Sequence, residues 1–393
     1  MIKRIIICVF ITLAVTVSGF SDQIKVKGTA PTFKTNDPTA QPYIDDFNRE
    51  LASAFDEMLD GLNGMIEDTV PSGFLNSNDI LGGFGNASIF ATHGATMRAY
   101  GEYESLSISI GGIMGLQVPE NTMDLINGKI DAEQFFSSNK LSFGINPQAF
   151  NLHVGFNPSS LITVLPENLY FGLRIGFFGL PKLEFDMGEG LSSSLDFNTF
   201  TIGVTANYQL VPSVNLGLII WRGVNIGSGL IFQTTKLGLS MPLDRMEESI
   251  GVGDGSIGGG LDNLTLVLDP TVTLNMNINT VTIPVEIVTA VKLIFLNIPF
   301  GLGFDIGFGQ SDLSLGLKSG VSIDGGKGSA LQQDKSGSLS VGISNKAPPQ
   351  FFNLKLITGF GLAFGEQFVI DFPFTYYFTS SGFNLGMTIG LRF

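Results

Sequence analysis

The chain has 393 residues, of which only 14% are charged, and its net charge is −14. Soluble proteins carry about 25% charged residues, so this composition indicates that much of the surface faces lipid. The acidic balance argues against nucleic acid as a partner, because phosphates would repel it, and against docking on an anionic membrane surface.

Residues 1–21 have the three parts of a secretory signal peptide. Lys3 and Arg4 precede an apolar run over 5–17, and small residues follow. The run is too short to cross a membrane as a helix. The single cysteine, Cys8, lies inside it, so the mature chain is expected to have neither a disulfide nor thiol chemistry.

Segment 22–97 is predicted to be a plug inside a barrel or a periplasmic segment. Over 43–66 apolar residues recur every three or four positions, which indicates an amphipathic helix with an acidic opposite face. Anionic headgroups would repel that face, so the apolar stripe is expected to pack against protein. Over 70–96 the sequence is rich in Gly and Asn and shows no period, which predicts irregular backbone within the lumen.

Residues 98–393 are predicted to form an all-β transmembrane antiparallel barrel. Over 383–393 apolar side chains alternate with polar ones or glycine, which places the apolar side chains on one face of a strand. About ten residues suffice for a tilted strand to cross the hydrocarbon layer. Similar segments recur, and about 20 residues for each strand with its loop predict about fourteen strands, within a range of twelve to sixteen.

Turn residues at Asn279-Thr280 divide two of these segments, 264–278 and 281–293. Counting turns back from the C-terminus then places the long segments 242–260 and 324–336 on the periplasmic side. Periplasmic turns are expected to be short, so the pattern does not predict the orientation of individual loops.

Catalytic chemistry is not expected. The predicted mature chain has two histidines, His93 and His153, and no cysteine, so it cannot assemble a zinc cluster or a thiol nucleophile. His153 with Ser159 could belong to a hydrolase triad, but His153 alternates with apolar neighbours and is interpreted as a lumen-facing polar position. The glycine cluster at 251–256 lacks the features of a phosphate or calcium loop. No enzymatic activity, cofactor or metal is therefore expected.

Six charged residues lie on the predicted inner face of the strands. These candidate lumen and plug contacts are Arg174, Glu286, Lys292, Asp305, Lys355 and Asp371. Their signs are mixed, whereas an ion-selective pore needs charges of one sign at its constriction. They suit a poorly charged or amphiphilic solute, or they pair with the plug. Pro284 and Pro373 cannot donate a ladder hydrogen bond and predict weak places in the wall.

The terminal Phe393 resembles the C-terminal signature of bacterial outer-membrane barrels, which implies recognition by the barrel assembly machinery. A plug-sized N-terminal segment, about fourteen strands and a terminal Phe together resemble the FadL family of outer-membrane channels for long-chain fatty acids and other hydrophobic compounds. The resemblance covers most of the mature chain in architecture. Asn157-Pro158-Ser159 loosely resembles the family's Asn-Pro-Ala stretch, and the resemblance assigns no ligand contact.

The favoured hypothesis is an outer-membrane channel for passive uptake of hydrophobic or amphiphilic molecules such as long-chain fatty acids. The alternatives are a general diffusion porin and a surface-exposed adhesion or display barrel. The expected partners are outer-membrane lipid, the barrel assembly machinery and a hydrophobic small molecule. The expected location is the bacterial outer membrane, after cleavage of the signal peptide.

Overall fold

The computed structural model describes residues 25–393 apart from several gaps. The predicted signal peptide, 1–21, lies outside the described residues. Among the described residues, no helix is long and apolar enough to cross a membrane. The gaps are 36–37, 40, 70–76, 93, 96–104, 120–121, 123, 125–126, 130, 132–141, 161, 163, 187–191, 243–244, 251–263, 326–331 and 366.

Two short strands and two helices precede the main run of strands. They are β1 (Lys25–Thr29), β2 (Thr32–Lys34), α1 (Gln41–Thr69) and α2 (Ser77–Phe90). The strands that follow are β3 (Leu106–Gln117), β4 (Gly144–Phe156), β5 (Leu169–Asp186), β6 (Ser192–Val211), β7 (Val214–Asn215), β8 (Ile219–Pro242), β9 (Met246–Ile250), β10 (Leu264–Leu293), β11 (Leu296–Gly325), β12 (Gln332–Lys335), β13 (Gly337–Ala347), β14 (Phe352–Phe364), β15 (Phe368–Tyr377) and β16 (Gly382–Arg392).

Ten of these strands form a closed antiparallel circuit. Hydrogen-bonded neighbours follow the order β11, β14, β15, β16, β3, β4, β5, β6, β8 and β10, and β10 pairs with β11 to complete the ring. Closure removes the free edges that would otherwise pair with other chains. The described sheet contains fourteen strand segments in total, but the expected fourteen membrane-crossing strands are not confirmed, because the circuit passes through ten.

The difference in strand number arises mainly in the long hairpin of β10 and β11. The predicted turn at Asn279-Thr280 is wrong, because β10 continues through it and Asn279 pairs with Gln310 of β11 in unbroken register. Asn279 is exposed on the outer face of β10. A polar residue at this level marks the end of the apolar surface and not the end of the strand.

A band of exposed apolar side chains surrounds the circuit. One limit of this band, here called the upper limit, lies at the same height on neighbouring strands. The outer face changes from Asn279 to Val281 on β10, and both strands that pair there place Phe308 and Phe232 beside Val281. Below this limit the outer residues are apolar over 281–291 on β10 apart from Thr289, and over 298–308 on β11 and 200–210 on β6. Each stretch has the length that a tilted strand needs to cross a membrane.

The two ends of the barrel differ in their connections. One end, the short-turn end, carries the connections 212–213, 294–295 and 365–367, and Phe393 accepts a backbone hydrogen bond from Ser105 there (2.9 Å). The two longest connections, 118–143 and 243–263, lie at the opposite, long-loop end. Because the hairpin is undivided, the segments 242–260 and 324–336 both lie at the long-loop end.

β1, β2 and α1, together called the N-terminal module, lie at the long-loop end. There β10, β11 and β13 continue beyond the apolar band, and β1 pairs with the edge of β13. Phe55 and Leu59 of α1 pack against Val321 of β11. The helix expected over 43–66 is present as α1, and its apolar residues Phe55 and Leu59 pack against β11 beyond the apolar band.

Polar contacts fix α1 to β2. The Asn48 side chain accepts a hydrogen bond from the Phe33 amide (2.8 Å) and donates one to the Phe33 carbonyl (2.9 Å). Lys34 of β2 lies 2.9 Å from Asp334 of β12, and its ammonium group holds the pKa of that exposed carboxyl below its usual value. The N-terminal module is therefore attached to the barrel by strand pairing, apolar packing and polar contacts together.

Candidate functional site in the barrel interior

Helix α2 lies inside the closed circuit. It contacts β3, β4, β8, β10, β11, β13 and β16, which include strands on opposite sides of the ring. Leu81, Ala87, Ile89 and Phe90 are completely buried. The expectation of irregular backbone over 70–96 is wrong for 77–90, which is helical.

Glycines on both the helix and the wall allow α2 to fit. A Cβ at Gly83 would lie 2.5 Å from the carbonyl oxygen of Phe143, and Cβ atoms at the wall positions Gly115 and Gly144 would overlap the α2 backbone. A barrel of eight strands is just filled by its own side chains, so a ten-stranded circuit admits a helix only when the two backbones approach closely. This close packing compensates for the low helix propensity of glycine.

α2 is attached to the long hairpin and to the connection 348–351 between β13 and β14. Leu81 joins an apolar cluster with Met276 and Ile278 of β10. Asn86 Oδ1 accepts a hydrogen bond from the Gln350 amide (2.6 Å). Ser88 Oγ lies 2.8 Å from Thr280 Oγ1 on β10. These contacts are neutral, and they lie near the upper limit of the apolar band.

Wall side chains satisfy the carbonyls at the C-terminal end of α2. Asn384 of β16 donates hydrogen bonds to the carbonyls of Phe90 and Thr92, the latter at 2.5 Å. Gln148 of β4 donates to the carbonyl of Ala91 (2.8 Å). The last carbonyls of a helix have no partner within it, so these amides allow the helix to end inside the protein without water.

Three charged side chains of the wall meet below the end of α2. Lys355 Nζ lies 2.7 Å from Glu286 Oε1 and 2.5 Å from Asp305 Oδ1. The side chains of Glu286, Asp305 and Lys355, here called the ion cluster, are at most 1% exposed. Tyr377 donates a hydrogen bond to Asp305, and its ring stacks on Phe90 with centroids 3.9 Å apart.

The described residues 77–92 and 94–95 are here called the interior segment, and they bind this ion cluster directly through Ala95. The Ala95 amide donates a hydrogen bond to Glu286 Oε2 (2.8 Å). The preceding residue, Gly94, has φ = 73°, and a Cβ there would overlap the Glu286 carboxylate. Only glycine therefore allows the backbone to turn this close to the wall.

The six predicted lumen contacts have different environments. Glu286, Asp305 and Lys355 come together, and Glu286 contacts the interior segment. Arg174 and Asp371 are also buried on the inner face, and Arg174 pairs in register with His153. Lys292 lies at the short-turn end, where it lines a pocket of about 490 Å³ with Ile294, Phe295, Ala363, Phe364 and Gly365.

Other predicted residues take simpler roles. Ser159 donates a hydrogen bond to Asn157 within a short 3₁₀ turn (2.8 Å), whereas His153 faces Arg174. His93 lies outside the described residues. The sequence analysis did not identify Tyr377, whose side chain is buried on the inner face and stacks on Phe90.

The wall has local gaps in its hydrogen-bond ladders. The predicted weak places at Pro284 and Pro373 are confirmed, because the β8–β10 ladder lacks pairs at Pro284 and the β15–β16 ladder lacks them at Pro373. A third gap separates β11 from β14 at Pro299. It faces Gly359, which has φ = 141° and pairs with Pro373. The gap at Pro299 and the gap at Pro373 therefore lie at the same height of the barrel, on either side of the paired strands β14 and β15.

A closed antiparallel circuit, an apolar outer band and a polar interior define the class of this protein as an outer-membrane-type β-barrel. Within this class the chain belongs to the Lsa36-like family, whose model matches residues 33–393. The expected FadL-like assignment is not confirmed.

Solved barrels are similar to the chain only at a coarse level. The translocator domain of the autotransporter NalP from Neisseria meningitidis is 10% identical, with a TM-score of 0.25, and the match covers 77% of this chain and 91% of that one. The CymD monoaromatic hydrocarbon channel is 11% identical, with a TM-score of 0.24 and coverages of 80% and 98%. The Yersinia pestis protein Ail is 10% identical, with a TM-score of 0.25 and coverages of 74% and 100%. No curated protein matches the sequence significantly.

Proposed function

We propose that this protein displays its N-terminal module and long loops on the outer face of a bacterial outer membrane. Ten strands cross the membrane in this proposal, and α2 is the plug that closes the barrel. The main support for this display proposal is the path of the chain. The N-terminal module lies at the long-loop end, α2 continues from that end into the closed circuit, and β3 begins at the short-turn end.

The connections support this orientation. Outer-membrane barrels have short periplasmic turns and longer extracellular loops, so the long-loop end faces outward. The occupied interior argues against a general diffusion porin, since α2 and the buried ion cluster fill the space that a solute would cross.

Cysteine labelling in intact cells tests the proposed orientation. Asp46→Cys lies on the exposed side of α1, and Val164→Cys lies in the connection 157–168 at the short-turn end, where Val164 is 91% exposed. A membrane-impermeant maleimide is expected to label Asp46→Cys in intact cells and Val164→Cys only after lysis. Labelling of Val164→Cys alone in intact cells would contradict the proposal.

Passive uptake of hydrophobic or amphiphilic molecules such as fatty acids is a second candidate, because the ladder gaps at Pro299 and Pro373 interrupt an apolar wall. A solute would leave sideways through such a gap when the plug shifts. Pro373→Val restores a backbone amide donor at position 373 and is expected to slow uptake of a radiolabelled fatty acid. Pro166→Val, in the connection 157–168, is expected to leave the uptake unchanged. Equal uptake by both variants and the wild type would remove this candidate.

A further inference from the structure

We propose that the ion cluster is a latch, and that its release converts the closed barrel into a pore for water and small ions. This inference goes beyond display and does not depend on the orientation of the barrel. Its basis is the direct contact between the wall charges Glu286, Asp305 and Lys355 and the interior segment at Ala95.

The latch depends on all three of its charges. Lys355 contacts both carboxylates, at 2.7 and 2.5 Å, and all three side chains are removed from solvent. A buried charge that loses its partner is strongly unfavourable. Loss of Lys355 therefore leaves two adjacent carboxylates that require water. The segment Gly94–Ala95 must move to admit this water.

One side of the lumen can be wetted without further rearrangement. Polar side chains of β4, β6 and β8 already hydrogen-bond to one another across the strands. Asn146 donates to Thr235 (2.7 Å), and Gln148 donates to Gln233 (2.8 Å). Thr201 also donates to Gln233 (3.2 Å). Displacement of the lower part of the interior segment would expose this hydrophilic surface.

The first half of α2 provides a fixed point for that movement. Leu81 is held in the apolar cluster with Met276 and Ile278. The charged contact lies beyond the C-terminal end of the helix, at Ala95. Release of the latch is therefore expected to free the C-terminal end of α2, including Ser88, together with Gly94–Ala95, while Leu81 near the start of the helix remains attached to β10.

Single-channel recording in planar bilayers, with the full mature chain, tests the latch. The wild type is expected to remain closed, and Lys355→Met to show roughly a hundredfold higher open probability, because loss of one partner destabilises a buried ion pair strongly. Lys346→Met is the matched control, since Lys346 forms a solvent-exposed pair with Asp312 at 3.4 Å. A folded Lys355→Met barrel that stays closed, or a Lys346→Met barrel that opens equally, would overturn the proposal.

A reversible cross-link distinguishes release from misfolding. Ser88→Cys and Thr280→Cys replace hydroxyls 2.8 Å apart, so their disulfide would hold α2 against β10. In the Lys355→Met background, oxidation is expected to suppress the open events and reduction to restore them. If the currents are the same with the disulfide oxidised and reduced, α2 does not control the pore. If Lys355→Met does not fold, Glu286→Ala is expected to open the pore, because it removes the acceptor for the Ala95 amide and leaves Lys355 paired with Asp305; a folded Glu286→Ala barrel that stays closed would overturn the proposal.

Discussion

At the scale of single residues, glycine on the inner face of a strand determines whether α2 fits. Gly115 of β3 lies against the backbone of α2, whereas Gly342 of β13 has no atom within 4 Å of a built Cβ. Gly115→Val is expected to destabilise the folded barrel by about 1–3 kcal/mol, the usual cost of overpacking, and Gly342→Val to have little effect. The midpoint of unfolding in urea, followed by the mobility of unheated samples on gels, measures the difference. Equal midpoints would mean that α2 does not touch β3.

Period-two alternation predicted the inward direction of Glu286, Asp305 and Lys355, because side chains alternate across a strand. Their grouping could not be predicted, because it depends on the registers of β10, β11 and β14. The hydrogen bond from the Ala95 amide to Glu286 could not be predicted either, since a backbone amide has no signature in the sequence. Tyr377 shows the same limit, because the side of the wall that an aromatic residue faces near a strand end depends on strand register.

At the scale of elements, the two helices differ in how clearly the sequence reveals them. α1 has one apolar stripe and one acidic face, and it was predicted. α2 packs against strands on opposite sides of the ring, so its sequence shows no single apolar face and no helical period. Its glycines, which suggested irregular backbone, are needed where the helix approaches Phe143 and Pro349.

The attachment of α1 is open to a direct test. Phe55→Ala is expected to weaken its docking on the extended hairpin by about 3–5 kcal/mol, the usual cost of truncating a buried aromatic side chain. Asp56→Ala, at the exposed neighbouring position, is the control. Limited proteolysis of the folded barrel should cut α1 faster in the first variant only. Unchanged cleavage would show that Phe55 does not hold the helix.

At the scale of the whole molecule, the sequence predicted an all-β barrel because alternation extends over most of the chain. The expected fourteen crossings are not confirmed, because the closed circuit passes through ten strands, and β10 and β11 continue beyond the apolar band. The polar outer residues of that extension resembled turns, although they mark the limit of the lipid-facing surface.

The limit of the apolar band predicts that an added charge destabilises the barrel at outer positions of β11 within the band and has little effect beyond it. Leu302→Arg, within the apolar band, is expected to destabilise the barrel in lipid vesicles by about 2–4 kcal/mol, as charges do near the membrane midplane. Ser314→Arg, on the same face beyond the band, is expected to change stability little. Equilibrium unfolding by guanidinium, followed by intrinsic fluorescence, compares the two. Equal destabilisation would mean that the band does not mark the position of the lipid.

A closed circuit of strands surrounds α2. The most direct test is disulfide formation between Ser88→Cys and Thr280→Cys in isolated outer membranes, in a chain otherwise unchanged. Cross-linking is expected to be nearly complete, and absent when Ser88→Cys is combined with Ser314→Cys on the outer face of β11. Two free thiols at 88 and 280, both alkylated rapidly by a hydrophilic maleimide in the folded barrel, would contradict it.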